Sequence, residues 1–272
     1  MTFDPKLIAT DLDGTLLRTD GTVSERNRAA LAAVRARGVP VVAVTGRGPR
    51  LLDMVRRDMG STGLAVLAQG GYVVDLATGE ELSVSSLPAA VAAKAVQLIE
   101  DAVGELIIAV EEVGDLTGPL RVQNGFDWPY PDPAVLLHRA EVLRGDALKV
   151  FVRSPAYGQD SLLALALAVL PLDLVEVTHA GLGFIEICPP GVTKATGLAV
   201  AAARHGVDAA GVLCFGDMPN DLSMFAWAGH AVAVASAHPT VLAAADALTL
   251  SNDEDGVAAY LDALFASARE PS

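Results

Sequence analysis

Two hydrophobic patterns alternate along most of the chain: short runs rich in Val, Ile and Ala, and longer amphipathic stretches rich in Ala and Leu. The short runs predict buried strands, and the longer stretches predict helices. The predicted strands are Lys6–Thr10, Val39–Val44, Ala65–Ala68, Tyr72–Leu76, Gly211–Phe215, Ala231–Ala235 and Ala247–Leu250. The predicted helices are Ser24–Arg37 (with Ser24 as N-cap), Pro49–Met59, Thr193–His205, Asn220–Ala228, Pro239–Ala245 and Asp255–Ala268. This alternation is typical of an α/β protein, so we expect a Rossmann-like parallel sheet with helices on both faces.

The middle of the chain has a different pattern, from about Leu82 to Glu186. A helix is followed by two strands, Glu105–Val113 and Leu120–Asn124, and by a turn-rich stretch that contains three prolines. Helix, strand, helix and strand then follow. We therefore predict a second α/β unit inserted into the first, with segments 1–82, 83–187 and 188–272.

The composition predicts a folded protein with a large core. The chain has 272 residues, of which 52% are hydrophobic and 5% aromatic, which excludes a disordered protein. There is no run of 18 or more apolar residues without charges or turn residues, so we expect no membrane partner. The stretch Met1–Lys6 shows no secretory signal, which predicts a cytoplasmic protein. Cys188 and Cys214 lie in apolar segments and predict small buried side chains.

The net charge of -14 bears on the partners of the protein. A negative field repels phosphate backbones, so we expect no nucleic-acid partner. No feature of the sequence predicts an oligomeric state.

A pair of carboxylates follows the first predicted strand, in Asp11-Leu12-Asp13-Gly14-Thr15. In an open α/β sheet, the carboxyl ends of the strands form the binding crevice. One carboxylate can act as a nucleophile while the other exchanges a proton, and Gly14 lets backbone N–H groups face an anion. Because Asp and Gly also favour ordinary turns, a turn without chemistry is the alternative.

Two further segments offer groups that bind phosphate. Thr45-Gly46-Arg47 follows the strand Val39–Val44 and suits contact with a phosphate oxygen, although Thr-Gly is also a common strand exit. Lys194 lies at the start of a predicted helix, where the helix dipole disfavours a cation. That position favours a specific anionic partner, and an exposed surface lysine is the alternative.

A second acidic pair occurs in Gly216-Asp217-Met218-Pro219-Asn220-Asp221, after the strand Gly211–Phe215. Asp217 precedes the predicted helix and fits an oxygen ligand for a hard cation such as Mg²⁺. Asp221 lies in the first helical turn, where a negative charge is favourable without any chemistry.

In this order and at these strand ends, the four segments resemble the four signature motifs of the haloacid dehalogenase (HAD) superfamily. The insert between the second and third motifs is similar to that of the Cof-like branch, whose phosphatases have a large α/β cap. Segments 185–194 and 252–258 also resemble that branch. The resemblance implies a HAD-like core in 1–82 and 188–272 and a cap domain in 83–187.

The resemblance implies a Mg²⁺-dependent phosphatase that hydrolyses small phosphate monoesters, such as sugar phosphates or phosphorylated cofactors. Asp11 would attack phosphorus to form an aspartyl-phosphate, and Asp13 would protonate the leaving oxygen and then activate water. The implied metal ligands are Asp11, Asp13 (through its backbone carbonyl) and Asp217. The implied phosphate-binding residues are Leu12, Thr45, Gly46, Lys194 and Asn220, and Asp221 would orient Lys194 or metal-bound water.

Charge supports a metal independently of the resemblance. Asp11, Asp13, Asp217 and Asp221 carry four negative charges if all are ionised, and Lys194 returns one positive charge. A phosphate monoester brings about two more negative charges at neutral pH. We therefore expect a divalent cation in the site.

The chain departs from the Cof-like pattern at two places. The pattern usually shows Asn-Gly after the third strand, where this chain has Gln69-Gly70-Gly71, and a later Gly-Asn-Ala segment is replaced by 234–237, with Ser236. Both segments lie near the crevice in the family, so we expect differences in substrate contact or in support of the site.

The cap would recognise the leaving group of the substrate. Arg47 and Arg121 are the candidate substrate-binding residues, and further candidates are Asp127, Trp128, Tyr130, His138, Arg139 and His179. Packing of Trp128 and Tyr130 within the proline-rich loop, and exposure of Arg121 to solvent, are the alternatives.

Two other functions remain as alternatives. Some relatives with large caps are sugar phosphomutases. A non-catalytic binding protein could keep the same fold, but the intact acidic residues and Lys194 argue against it.

Overall fold

The computed structural model describes residues 3–113, 118–171 and 173–267, which form two β-sheets with their helices. The strands are β1 Leu7–Thr10, β2 Val41–Val44, β3 Leu64–Leu67, β4 Tyr72–Asp75, β5 Glu81–Val84, β6 Ile107–Glu112, β7 Leu120–Gln123, β8 Ala134–Leu137, β9 Ala147–Arg153, β10 Glu176–Thr178, β11 Ile185–Cys188, β12 Val212–Gly216, β13 His230–Val234 and β14 Ala247–Thr249. The helices are α1 Glu25–Ala36, α2 Leu52–Met59, α3 Ala89–Val103, α4 Arg139–Val142, α5 Gln159–Val169, α6 Lys194–Arg204, α7 Leu222–Trp227, α8 Pro239–Ala244 and α9 Gly256–Ser267.

The first sheet has the strand order β14-β13-β12-β1-β2-β3-β4-β5. Its first six strands in this order are parallel, which confirms the Rossmann-like α/β prediction, whereas β4 runs antiparallel to both of its neighbours, β3 and β5. The reason is the short connection between β3 and β4, because a parallel pair needs a crossover of a dozen or more residues.

Helices cover both faces of this sheet, and the two apolar faces alternate along each strand. On β1, Ile8 packs with α1, α2 and α9, whereas Leu7 and Ala9 pack with α6, α7 and α8 on the other face. This alternation follows from the two-residue period of a strand. It explains why the parallel strands are continuous apolar runs in the sequence.

The second sheet has the strand order β10-β11-β9-β6-β7-β8 and is formed by the predicted insert. Most of its neighbours are antiparallel, and only β7 and β8 form a parallel pair. Helices α3 and α5 cover one face. The strands β8 and β10, like β5 in the first sheet, were not among the predicted strands.

The opposite face of the second sheet carries aromatic and charged side chains. Phe151 of β9 packs there with Phe126 and Phe184, whereas Val150 and Val152 point toward the helices. We call this second face the inner face, because it faces the carboxyl ends of the first sheet.

The chain passes between the two sheets twice. Strand β5 belongs to the first sheet and ends at Val84, and β11 belongs to the second sheet and ends at Cys188. We propose that the cap extends from just after Val84 to Cys188, within two residues of the predicted 83–187.

Three other predictions concern single features. Cys188 and Cys214 are both free and buried, as predicted. No helix in the described part of the chain has both the length and the hydropathy needed to cross a bilayer. The last predicted helix includes Ala268, which lies outside the described residues, as do the first two residues of Met1–Lys6.

The third and fourth motifs depend on how closely α6 packs on the first sheet. An ideal Cβ at Gly197 would lie 2.5 Å from Val66 Cγ1 and 2.7 Å from Gly70 Cα. We expect Gly197→Ala to lower the free energy of unfolding by about 1–3 kcal/mol, because the helix must move off the sheet. Urea unfolding measures the change. Val200→Ala on the same helix, at a 36% exposed position, is the control and should change stability by less than about 0.5 kcal/mol. Equal effects of the two substitutions would contradict this packing argument.

Candidate active site

Three neighbouring strand ends bring the motif residues together. Strands β12, β1 and β2 are adjacent and parallel, so Asp217, Asp11 and Thr45 leave the same edge of the sheet side by side. The N-terminus of α6 brings Lys194 to this edge, where it bonds to Asp11. All four side chains are buried.

Lys194 lies between two carboxylates. Its Nζ donates hydrogen bonds of 2.6 Å to Asp11 Oδ1 and 2.6 Å to Asp221 Oδ1, and the residue is 1% exposed. Burial alone would lower the pKa of Lys194, but Asp11 and Asp221 raise it above its usual range. The lysine is therefore a buried cation with specific carboxylate partners, which excludes the surface-lysine alternative.

Asp221 supports the turn that carries Asp217. Its Oδ2 accepts hydrogen bonds from the backbone N–H groups of Asp217 at 2.9 Å and Met218 at 3.0 Å. The hydroxyl of Thr15 donates to Asp217 Oδ1 at 2.8 Å. At Gly14, φ is +84° and an ideal Cβ would lie 2.3 Å from Asp217 Oδ2, so only glycine allows this approach.

The carboxylates form a donor set that suits a hard divalent cation. Asp11, Asp217 and Asp221 each offer an oxygen, and these oxygens lie within 4.8 Å of one another. With Lys194 included, the cluster keeps two net negative charges inside the protein when all groups are ionised. Oxygen-rich sites of this kind hold Mg²⁺, so the residues fit the predicted metal. Because Asp221 already accepts from Lys194 and two backbone amides, Asp11 and Asp217 are the better placed ligands.

Burial and mutual repulsion disfavour the ionised acids when no cation balances them. Burial raises the pKa of Asp11 to about 7, with Asp221 and Asp13 adding to the rise and Lys194 opposing it. Burial and then the charge of Asp11 raise the pKa of Asp217 well above its usual range. A bound cation would remove this repulsion.

Asp13 is held by Arg47 rather than by the metal cluster. The guanidinium donates to Asp13 Oδ2 at 2.7 Å and to Oδ1 at 2.6 Å, and its third nitrogen donates to the buried Asp58 at 2.9 Å. The hydroxyl of Tyr130 donates to Asp13 Oδ2 at 3.3 Å. Arg47 therefore lies beside the candidate site, and its contact there is with Asp13, the second acid of the first motif.

A cleft lies between these residues and the inner face of the cap sheet. Its floor includes Asp11, Asp13, Thr45, Asp217 and Asn220. Its wall is largely aromatic and apolar: Trp128, Tyr130, Phe151, Leu182, Phe184 and Met218. The rings of Trp128 and Phe151 are 5.0 Å apart, and those of Phe151 and Phe184 are 5.2 Å apart. Trp128 and Tyr130 thus pack against other side chains and also line the cleft.

Several predicted residues do not line this cleft. Arg121 pairs with Glu112 at 2.5 Å, and Arg139 pairs with Glu100 at 2.6 Å. His138 caps α4, Asp127 is exposed, and the buried His179 pairs with Asp160 at 2.9 Å. The Leu12 side chain is fully buried in the core, so only its backbone can contact a ligand.

The structure adds charged residues that the sequence prediction missed. Lys149 and Glu186 form a buried ion pair of 2.6 Å on the inner face and line the cleft. Arg50, which follows the second motif, pairs with Glu111 and Asp132 of the cap, and the side chains of all three are buried. The sequence feature that could have identified them is a charged residue between two apolar residues of a strand, as in Leu148-Lys149-Val150. Such a residue lies on the opposite face of the sheet from its neighbours.

The two departures from the Cof-like pattern have different surroundings. Gln69 is 1% exposed, and its side chain bonds to Glu186 at 2.9 Å and to Asn220 at 3.1 Å. Ser236 donates to Asn252 at 2.9 Å and does not line the described cleft. Gln69 is therefore the departure that reaches the candidate site.

Comparison with known proteins agrees with this geometry. A family model described as haloacid dehalogenase-like hydrolase matches residues 8–261. The Bacillus subtilis protein YxeH is 32% identical, over 93% of this chain and 96% of its own length. A second B. subtilis relative, 5-amino-6-(5-phospho-D-ribitylamino)uracil phosphatase YitU, is 29% identical, over 96% of this chain and 98% of its own.

The fold is shared with a solved structure along nearly the whole chain. The crystal structure of SMU.1108c from Streptococcus mutans superposes with a TM-score of 0.83 at 23% identity, covering 97% of this chain and 100% of the other. The likeness therefore includes the cap as well as the core. The prediction from the four motifs is confirmed: the chain belongs to the haloacid dehalogenase-like hydrolase family.

Proposed function

We propose that the protein is a Mg²⁺-dependent phosphatase that hydrolyses small phosphate monoesters through an aspartyl-phosphate on Asp11. The observation that carries the proposal is the position of Asp11 on the floor of the cleft, bonded to Lys194 and beside Asp217. A bound Mg²⁺ would neutralise charge on the carboxylates and on the phosphoryl oxygens. Asp11, Asp217 and the Asp13 backbone carbonyl would hold it.

Asp11 is oriented for attack by its hydrogen bond to Lys194. Because Lys194 bonds to Oδ1, we assign the attack on phosphorus to Oδ2. The bond from Oδ2 to phosphorus forms while the ester P–O bond breaks, and the leaving oxygen takes a proton from Asp13. Water then attacks the phosphorus of the aspartyl-phosphate and gives its proton to Asp13, which frees phosphate and restores Asp11. Lys194 and Thr45 would stabilise the phosphoryl oxygens during both steps.

Asp13 must change its partner during this cycle. Both of its oxygens accept from Arg47 in the structure, so a proton on Asp13 has no path to a substrate oxygen in that pose. Arg47 stays in place because Asp58 holds its third nitrogen. We therefore propose that Asp13 turns away from Arg47 toward the leaving oxygen when a phosphate ester binds.

The cap wall supports a leaving group with an apolar or flat part. Trp128, Phe151 and Phe184 offer ring surfaces above the acidic floor. The relative YitU is a phosphatase of a ribityl phosphate that carries an aminouracil. Sugar phosphates and phosphorylated cofactors of this general size are the substrates that we propose for this chain.

The nucleophile assignment is tested with Asp11→Asn. We expect a loss of phosphate release of at least about 10³-fold, because the amide cannot form the covalent intermediate. Phosphate release from a panel of phosphate monoesters, with Mg²⁺ and with EDTA, measures the effect. Asp20→Asn, at an exposed site, is the control. Undiminished turnover by folded Asp11→Asn protein, or in EDTA, would refute the proposal.

Metal binding is tested without any substrate. We expect Mg²⁺ at about 100 times its Kd to stabilise the protein by about 2.7 kcal/mol, which raises Tm by about 5–10 °C. Asp217→Asn should abolish this increase. Its Tm without Mg²⁺ should not fall, because the substitution removes a buried charge from a repulsive cluster. Scanning calorimetry measures the Tm of the native protein and of Asp217→Asn with and without Mg²⁺. An equal rise in Tm in both proteins would exclude Asp217 as a ligand.

The role of the cap wall is tested with Trp128→Ala. We expect KM for esters with a ring-containing leaving group to rise by about 2- to 12-fold, because a ring contact contributes about 0.5–1.5 kcal/mol. The value of kcat should change less, since Trp128 does not contact the phosphoryl site. Trp128→Phe should restore most of the affinity, and a loss confined to kcat would contradict the assignment.

A further inference from the structure

A chain of hydrogen bonds connects the cap sheet to the fourth motif. Lys149 Nζ donates to Glu186 Oε2 at 2.6 Å, and Gln69 Nε2 donates to Glu186 Oε1 at 2.9 Å. Asn220 Nδ2 then donates to Gln69 Oε1 at 3.1 Å. We call these four residues the amide relay. None of them is more than 7% exposed.

The direction of every bond in the amide relay is determined at its cap end. The Lys149 ammonium can only donate, and the carboxylate of Glu186 paired with it can only accept. Gln69 must therefore present its NH₂ group to Glu186 and its oxygen to Asn220. Asn220 must in turn present one N–H of its NH₂ group to Gln69. The second N–H stays free for the phosphoryl oxygen that the family resemblance implies as its partner. The alternative amide orientations would place two donors or two acceptors in contact.

The backbone around the amide relay is shaped for these contacts. An ideal Cβ at Gly46 would lie 2.6 Å from Gln69 Nε2, so the glycine makes room for the amide. Gly46 also accepts a hydrogen bond from Lys149 through its carbonyl oxygen. Gln69 has φ of +60°, an uncommon conformation for a non-glycine residue, which is typical of sites where the surroundings hold a residue in place.

One end of the amide relay lacks a partner. Asn220 Oδ1 is buried and has no hydrogen-bond partner in the described structure, although Asn220 lines the cleft. The neighbouring Asp11, Asp13 and Asp217 on the cleft floor accept when ionised, and no donor of the described residues, the Thr45 hydroxyl included, bonds to this oxygen. The Lys194 ammonium is bonded to Asp11 and Asp221. A buried acceptor without a donor is unfavourable, so a ligand in the cleft is the natural source of that donor.

We propose that Asn220 Oδ1 accepts a hydrogen bond from a hydroxyl or amino group of the substrate next to the phosphoester, and that Gln69 is the positioning residue that orients it. This inference rests on the proposed phosphatase function and adds a specificity to it. Esters that carry such a donor bind with the acceptor satisfied, whereas esters without it leave Asn220 Oδ1 buried and unpaired.

The test compares pairs of substrates that differ by one hydroxyl group. Glycerol 3-phosphate is compared with 2-deoxyglycerol 3-phosphate, and ribitol 5-phosphate with 4-deoxyribitol 5-phosphate. We expect the native protein to prefer the hydroxyl-bearing ester by about 10- to 100-fold in kcat/KM for at least one pair. In Gln69→Met the preference should fall below about threefold, because the side-chain amide of Asn220 can then flip and exchange its oxygen and nitrogen.

The control for this substitution is Gln97→Met, at an exposed position on α3. It should leave the preference unchanged. A general loss of stability would lower kcat/KM for both esters of a pair, so the ratio separates positioning from damage to the fold.

A second variant tests whether the ion pair of Lys149 and Glu186 determines the direction of the hydrogen bonds in the amide relay. In the double variant Lys149→Met with Glu186→Gln, the buried ion pair is gone and the new amide can donate or accept. The direction of the amide relay is then undetermined, and the preference should again fall. If Gln69→Met does not fold, this double variant still tests whether the amide relay controls the preference between the two esters.

The outcomes separate this inference from the proposed function. Equal turnover of both esters in each pair by the native protein overturns the inference and leaves the phosphatase intact. A preference that survives in both variants overturns the positioning role of Gln69. Absence of phosphate release from every monoester of the panel overturns the proposed function, and the inference with it.

Discussion

The structure depends on how the negative charge of three buried carboxylates is neutralised. The neighbouring side chains supply fewer positive charges than these carboxylates carry. Asp11, Asp217 and Asp221 come together because the strand ends that carry them are neighbours in one parallel sheet. Lys194 compensates part of this charge from the N-terminus of α6, where the helix dipole opposes it. The remaining negative charge favours a divalent cation, and burial makes that preference strong because the surroundings screen charge poorly.

The cap sheet completes the site from above with two kinds of side chain on one face. Aromatic rings form the wall of the cleft, and the pair Lys149 and Glu186 extends a polar contact down to the core. Arg50 adds a second buried connection between core and cap through Glu111 and Asp132. The cap therefore covers the cleft and also determines the orientation of polar groups inside it.

The pattern of the sequence predicted the α/β architecture of the core. Apolar runs separated by capped amphipathic stretches predict an α/β sheet, because strands buried on both faces have little polar content. The edge strands β5, β8 and β10 were missed, since short, partly exposed strands lack that signal. The order of the acidic, hydroxyl and lysine residues predicted the family, which the comparisons confirm.

Contacts between residues far apart in the chain were decided only by the tertiary structure. The sequence by itself predicted that Asp11, Lys194 and Asp217 belong to one site, because strand ends follow from local apolar patterns and the order of the motifs resembles that of the family. It did not show that Arg47 holds Asp13 or that Gln69 joins Glu186 to Asn220. Those contacts join separate segments, and they depend on how the cap sheet lies over the core. Packing of the two sheets, rather than local sequence preference, therefore determines which groups the cleft offers to a substrate.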